Sequence, residues 1–354
     1  MTEKVRIKDI AEKSGVSVGT VDRVLHNRPN VSKKAREKVE KVLKEINYQP
    51  NMYASALAYN KSYRFYCIIP QHDSEAYWEE IEDGTAKACE TRRDFHISTE
   101  IMYYQRYDIK SFVQTTKECL EKKPNGVIVV PADIKVTKHF CETMHERKIP
   151  FILLDSYIPD VNPLTFFGQD SFSSGKFAAK MLMLLAVNDK EIMLFKRMKN
   201  GKVASRQQEN RELGFRHYMN EHFPNVRIAE LDVPVEGSPE SNEKKLEQFF
   251  SAHPGIRNCI TLGSKAHIVG EFLLKTNRRS VQIMGYDMVE KNAQCLRKGS
   301  ISFLIAQHAY MQGYHCVDSL FKAIVLHKKV APTNYMPIEL LSKENVDFYR
   351  RTQL

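Results

Sequence analysis

Residues 7 to 26, IKDIAEKSGVSVGTVDRVLH, constrain this chain more than any other stretch. An apolar-periodic helix (Ile7, Ile10, Ala11) runs into Ser14-Gly15, and a second helix follows with Val18, Val21 and Val24 three apart. Gly15 stands where a tight inter-helix turn needs a residue free to take positive φ. Ala11 is small enough for the second helix to cross close by. Ser17 is placed to cap that helix, its hydroxyl accepting from an otherwise orphaned backbone N–H. This spacing is that of a helix-turn-helix, whose first helix crosses a DNA backbone and whose second enters the major groove. After Pro29-Asn30-Val31, Ser32 caps a third helix whose Val39, Val42, Leu43 and Ile46 share one face. Pro50, in Tyr48-Gln49-Pro50-Asn51, ends that helix. Asn51 then caps a short fourth helix, Met52 to Ala58, too short to be helical alone in water.

Charge agrees. Residues 1–60 carry twelve Lys/Arg against seven Asp/Glu, a net +5, while the other 294 residues carry 41 against 36. Positive charge is densest in the head, which suits phosphate neutralisation and argues against a bundle that merely binds another protein. Residues 4–60, with VRIKDIAEKSGVSVGTVDRVLHNRPNVSKKAREKV and NYQPNMYASALA, resemble the head of LacI-type repressors. The resemblance implies DNA contacts from Ser17, Val18, Gly19, Thr20, Asp22 and Arg23 on the second helix, and from Asn51, Ala54 and Leu57 in a hinge helix. Arg23 would address a guanine edge bidentately, Ser17 and Thr20 would meet phosphates, and Val18 would match a thymine methyl. Gly19 lets the backbone approach. Asp22 stands where the family usually has serine, and three roles are open: accepting from a cytosine amino group, bracing Arg23, or repelling phosphate. Bracing is favoured. Two hinge copies would pack through Met52, Ala56 and Leu57, with Leu57 wedged between base pairs in the minor groove. A twofold homodimer would then read a pseudo-palindromic operator on double-stranded DNA. The tail, Glu339 to Leu354, has no leucine heptad, so the tetramerisation segment of the lactose repressor is not expected.

At 354 residues the chain suits a small head plus a two-lobed body. The charged N-terminus does not read as a secretory signal, and the longest apolar run, Met181 to Val187, is far too short for a membrane span. Seven scattered cysteines with no CxxC fit reduced thiols of a cytoplasmic protein. P-loop, GxGxxG, HExxH and GxSxG motifs are absent, and the histidines lack metal-ligand spacing. We therefore expect no enzyme activity, cofactor or metal. Asp155 and Asp287 could be imagined as a glycosidase pair, but as strand-end acceptors they lack a dedicated acid.

From Tyr63 onward, short apolar strands alternate with helical segments. Phe65–Ile69, Val127–Val130, Phe151–Leu154, Ile192–Phe195, Cys259–Leu262, Val281–Met284 and Ile301–Ile305 are the strand candidates. That alternation predicts parallel sheets covered on both faces, with ligand outside the carboxyl ends of the strands. Residues just after the strands are therefore the site candidates: Tyr77-Trp78 after the first, then Asp155, Asp287 and Gln307, with Arg211 leading a helix. Aromatic faces stacked on a sugar ring, with Asp, Gln and Arg on its hydroxyls, make a workable carbohydrate cleft. Each has a plainer role available: Asp287 as a helix cap, Trp78 as core, Arg211 in a surface ion pair.

FFGQDSFSSGKFAAKML (166–182), RELGF (211–215), IMGYD (283–287), LIAQHAYMQGY (304–314) and AYWEEIEDG (76–84) resemble the periplasmic sugar-binding-protein fold that forms the sensor of these repressors. The resemblance implies an all-α helix-turn-helix head (1–50), a hinge helix and linker (51–63), and an α/β two-lobed sensor and dimerisation domain (64–354) with parallel sheets. The lobes would comprise about 64–164 with 306–323 and about 165–305 with 324–354, joined by three crossing segments. Tyr77, Trp78, Asp155, Arg211, Asp287 and Gln307 would contact the effector, a sugar or sugar derivative. Two departures bear on its identity. The Asn-Asp pair usual in such sensors is here Ser264-Lys265, and Ser156 stands where ribose-type sensors often have arginine. Lys265 favours an acidic or phosphorylated ligand if it faces the cleft; we expect it to face solvent. A protein corepressor acting in place of a small molecule is the other open reading.

Overall fold

The computed structural model describes residues 6–25, 29–46, 61–72, 77–203 and 205–349, in two compact units, 1–60 and 61–354. The first unit holds α1 (Ile7–Ser14), α2 (Val18–Leu25) and α3 (Lys33–Glu45). Gly15 closes α1 at φ +64, so a side chain there would strain the turn. Ser17 Oγ accepts from Thr20 N at 3.2 Å and Ser32 Oγ from Ala35 N at 3.2 Å, capping α2 and α3. Ile10, Ala11, Val21, Val24, Val39 and Val42 form the core. Val18, although in step with Val21 and Val24, is 45% exposed. A strict three-residue spacing drifts by about 60° per step around a 3.6-residue helix, so Val18, two steps from Val24, leaves the buried face. The hinge residues Asn51, Ala54 and Leu57 lie outside the described residues.

The second unit contains two sheets. In the first, β1 (Tyr63–Pro70), β2 (Ile97–Tyr104), β3 (Gly126–Val129), β4 (Phe151–Leu154), β5 (Thr165–Gly168) and β12 (Thr333–Tyr335) run in the order β12-β5-β4-β3-β1-β2, every pair parallel. In the second, β6 (Glu191–Lys199), β8 (Arg227–Pro234), β9 (Asn258–Thr261), β10 (Gln282–Tyr286) and β11 (Ile301–Ala306) form the parallel set β11-β10-β9-β6-β8. The antiparallel strands β7 (Lys202–Val203) and β13 (Glu339–Leu341) extend it. Both parallel sets thus follow one winding, 5-4-3-1-2, and both have strands that read as continuous buried runs.

The lobe boundary differs from the one expected. Thr165–Gly168 and Thr333–Tyr335 belong to the first sheet, because β5 pairs with β4 and β12 pairs with β5. The chain crosses between lobes at Gln169-Asp170, at Gln307-His308 and between Tyr335 and Glu339. A four-residue apolar run such as TFFG has no period of its own, so the sequence left its sheet unassigned. Gln169, 2% exposed, ties all three crossings: its Nε2 donates to Ala306 O at 3.1 Å and to Pro337 O at 2.8 Å. No described helix is long and apolar enough to cross a membrane. Six of the seven cysteines are buried, packed as small apolar residues.

Candidate functional site

Two candidate sites follow from this scaffold. On the head, Ser17, Val18, Gly19 and Arg23 are exposed, with Thr20 and Asp22 partly so, on the side of α2 away from Val21 and Val24. The Ser17 and Thr20 hydroxyls are 2.9 Å apart.

In the second unit, a cavity of about 470 Å³ lies among the carboxyl ends of both sheets, a size suited to a small ligand. Tyr77, Trp78, Asp155, Arg211, Asp287 and Gln307 all line it. Tyr77 and Trp78 open the helix α4 (Tyr77–Glu90) and meet edge to face at 4.9 Å. The Tyr77 hydroxyl accepts from Gln312 Nε2 at 3.0 Å, and burial keeps it neutral by pushing its pKa well above 10. Asp155 follows β4, and Asp287 follows β10. Both take φ +68, a turn that ends the strand and sends the chain across the cleft edge.

These two carboxyls are buried, so their charged forms are disfavoured. Burial raises Asp155, against the pull of Arg211 and Arg106, and Ser156 Oγ donates to its Oδ2 at 3.1 Å. Burial likewise pushes Asp287 up to about 6, opposed by Arg211 and by Gln307 Nε2, which donates to Oδ1 at 2.6 Å. Asp287 does not cap the helix that follows (Glu290–Arg297), whose N-cap is Val289. Arg211 sits on the helix α8 (Arg206–His222). It is 2% exposed, lies 4.0 Å over the Tyr286 ring, and is in no ion pair among the described residues. Its guanidinium donates to Leu262 O at 3.1 Å, to Gln207 Oε1 at 2.7 Å and to Gln307 Oε1, while its buried Nε meets no acceptor. Gln307 therefore bridges the cation and the carboxyl. An aromatic pair on one side, two carboxyls and a fixed guanidinium on the other, can hold a ring with apolar faces and hydroxyl edges.

Sequence reasoning missed Arg106, Arg197, Gln207 and Gln208, which also line the cavity. Arg106 follows β2, a strand that was not anticipated. Gln207 had a readable signal, since it precedes Arg211 by four on one helix face. Lys265, expected in solvent, lines the cleft, because the loop after β9 turns inward before the helix α10 (His267–Lys275).

Comparison with known proteins adds the lineage. Residues 6–51 match the family of bacterial regulatory proteins of the lacI type, and residues 65–329 match the periplasmic binding protein domain. A solved chain from Bacteroides fragilis, assigned to the LacI transcriptional regulators, is 44% identical with a TM-score of 0.79; the match covers 82% of this chain and 100% of that one. The transcriptional regulator DegA of Bacillus subtilis is 27% identical over 219 residues, 62% of this chain and 61% of its own length. The ribose operon repressor of Halalkalibacterium halodurans is 24% identical over 289 residues, 79% of this chain and 80% of its own.

Proposed function

The chain belongs to the lacI family of bacterial regulatory proteins, with a periplasmic binding protein domain as its body, and from that membership we propose that it is a sequence-specific transcriptional regulator, a repressor, whose operator affinity is set by a sugar-type small molecule. The observation that carries the reading is the meeting of six residues, drawn from three strand ends and two helix starts, in one cavity between two lobes. A ligand touching both lobes favours one lobe arrangement over the other, and it shifts DNA affinity only by its differential affinity for the two. The three crossings pinned by Gln169 are the place where such a rearrangement turns. The name of the ribose operon repressor supports a sugar as the effector class.

The head supports operator reading through Arg23, with Ser17, Val18, Gly19, Thr20 and Asp22 around it and Asn51, Ala54 and Leu57 in the hinge. A homodimer on a pseudo-palindrome completes the proposal. Selection of binding sites from random duplex DNA with the full chain tests it: an inverted repeat is expected, and Arg23→Ala should relax preference at one base pair per half-site. Recovery of no preferred sequence would sink the operator reading. A thermal-shift screen of the full chain against monosaccharides, sugar acids and sugar phosphates tests the sensor. A ligand at a hundred times its dissociation constant adds about 2.7 kcal/mol of stability.

A further inference from the structure

Positive charge in the cleft exceeds what a neutral sugar requires. Six basic side chains line the cavity. Two of them are answered by carboxylates: Lys196 by Glu212, Glu230 and Asp232, and Lys199 by Glu236. Arg106, Arg197 and Arg211 are in no ion pair among the described residues. Arg211 sits near the two buried carboxyls, which draw on its field. Asp155 draws on Arg106 as well, whereas Arg197 has no such answer. The Arg106 guanidinium lies 5.5 Å over the Trp78 ring. Arg197 gives one Nη2 hydrogen bond to Val235 O, and its buried Nε meets no acceptor.

These groups converge from both lobes. Tyr107, next to Arg106 in the first lobe, has its ring 5.0 Å from Lys199 Nζ in the second, two residues from Arg197. Lys265 lines the same cavity and borders His267 together with Arg197. His267 is held neutral, its pKa lowered to about 4, first by burial and then by Lys265, Lys291 and Arg197. The nearby acids are engaged elsewhere. Glu236 pairs with Lys199, and Asp108 Oδ1 accepts from Lys110 N at 2.9 Å as a helix cap. A half-buried guanidinium without counter-charge is costly, and that cost is relieved when an anion enters. An arginine fork matches carboxylate and phosphate oxygens in particular.

We propose that the ligand carries an anionic group, a carboxylate or a phosphate ester, seated in the part of the cleft bounded by Arg106 of the first lobe and by Arg197 and Lys265 of the second. The inference rests on the sugar-sensor reading and narrows it to sugar acids or sugar phosphates. An anion held from both lobes also ties ligand charge to lobe closure, so charge contributes to the regulatory signal as well as to affinity.

The test is calorimetric titration of the full chain with matched probes: D-galactose, D-glucose and D-ribose against D-galacturonate, D-glucuronate, glucose 6-phosphate and ribose 5-phosphate. An anionic probe is expected to bind at least tenfold more tightly than its neutral parent, and to weaken as salt rises. The acid and phosphate arms say which anion is preferred. Arg197→Gln should cut affinity for the anion about tenfold further than affinity for its neutral parent. Lys265→Gln should do the same if the arginine variant fails to fold. A neutral sugar binding as tightly as its acid and its phosphate overturns the anionic site and leaves the sugar sensor standing. Silence across all seven probes counts against the sugar sensor itself, and the anion proposal falls with it.

Discussion

The two lobes share a frame and differ in what they present to the cleft. In the first, α4 crosses the helix α12 (Ala309–Leu320); in the second, α8 crosses the helix α7 (Ser171–Leu185). A Cβ added to Gly84 would stand 2.0 Å from Tyr310 O, and one added to Gly214 would stand 2.0 Å from Phe172 O. The strand ends repeat as well. Asp155 N–H donates to Phe167 O at 2.8 Å and Asp287 N–H to Ile305 O at 3.0 Å, each bonding the next strand from a positive φ. Three residues before its crossing glycine, the first lobe has Ile81 and the second has Arg211. The first lobe leads with Tyr77-Trp78, and the second answers with Gln207 and Arg211. A duplicated backbone fixes where a ligand is held; the side chains decide what is held. At these matched helix positions the first lobe supplies the aromatic platform and the second the Gln207 and Arg211 donors, while the aspartate after the fourth parallel strand is kept in both.

If the frame is the shared part, breaking it should hurt both lobes alike. Gly84→Ala and Gly214→Ala each force a methyl into a backbone carbonyl, a clash at or above the top of the ~1–3 kcal/mol range for overpacking. In a body of this size that lowers the melting temperature by roughly 6 °C or more. Calorimetry of the two variants reads it. A large loss in one lobe with none in the other would show the crossings to be unequal and weaken the comparison.

The next largest effect separates function from stability. Asp287→Ala should cost ligand affinity a hundredfold or more, since removing one partner of a buried charged hydrogen bond costs about 2–5 kcal/mol. The empty protein should respond in the opposite sense. A carboxyl raised from 3.8 to about 6 burdens the folded state at neutral pH by on the order of 3 kcal/mol. Asp287→Asn, which keeps an acceptor for Gln307 Nε2, should therefore melt several degrees higher without ligand. A variant that neither melts higher nor loses the ligand response would remove Asp287 from the site.

The sequence exposed the site more fully than the frame. Asp155, Asp287 and Gln307 stand directly after apolar runs, and a parallel sheet puts such positions at the ligand edge. The strands β2 and β8 escaped notice because they are sheet-edge strands. ISTEIMYY and RIAELDVP alternate buried and exposed residues rather than running apolar, so neither carries the continuous apolar signal of a central strand. Missing β2 also hid Arg106, which follows it. The inward turn of Ser264-Lys265 depends on the packing of the α10 start, as the Asn292 bonds to His267 N and Ser264 O show. No local pattern encodes that.

Smaller changes distinguish the two contact surfaces. Trp78→Ala removes the platform and should weaken every sugar by about 1–3 kcal/mol, whatever its charge. Arg197→Gln should weaken anions about tenfold more than neutral sugars. Titrating both variants with glucuronate and glucose sharpens the contrast; equal loss of both sugars in both variants would merge the platform and the fork into one undivided surface.

The smallest effect is a pH dependence that assigns the two aspartates different parts. Because burial raises Asp287 in the folded, empty protein, its contribution to stability is fully present below about 3.8 and is lost as pH rises through about 6. On the proposed sugar reading, ligand hydroxyls would donate to the ionised form. Binding therefore strengthens across the same window in which empty-state stability declines. With glucuronate, whose carboxylate stays ionised throughout, the dissociation constant at pH 5 should be about tenfold weaker than at pH 7.5, one unit of protonation below a pKa near 6. Asp155 shares the burial that raises it, opposed by Arg211 and by Arg106, a second cation that Asp287 lacks. Asp287→Asn should flatten the profile and Asp155→Asn should leave its slope. The reverse result would mean that the first lobe's Asp155, despite the two arginines acting on it, is the carboxyl that ligand binding must ionise.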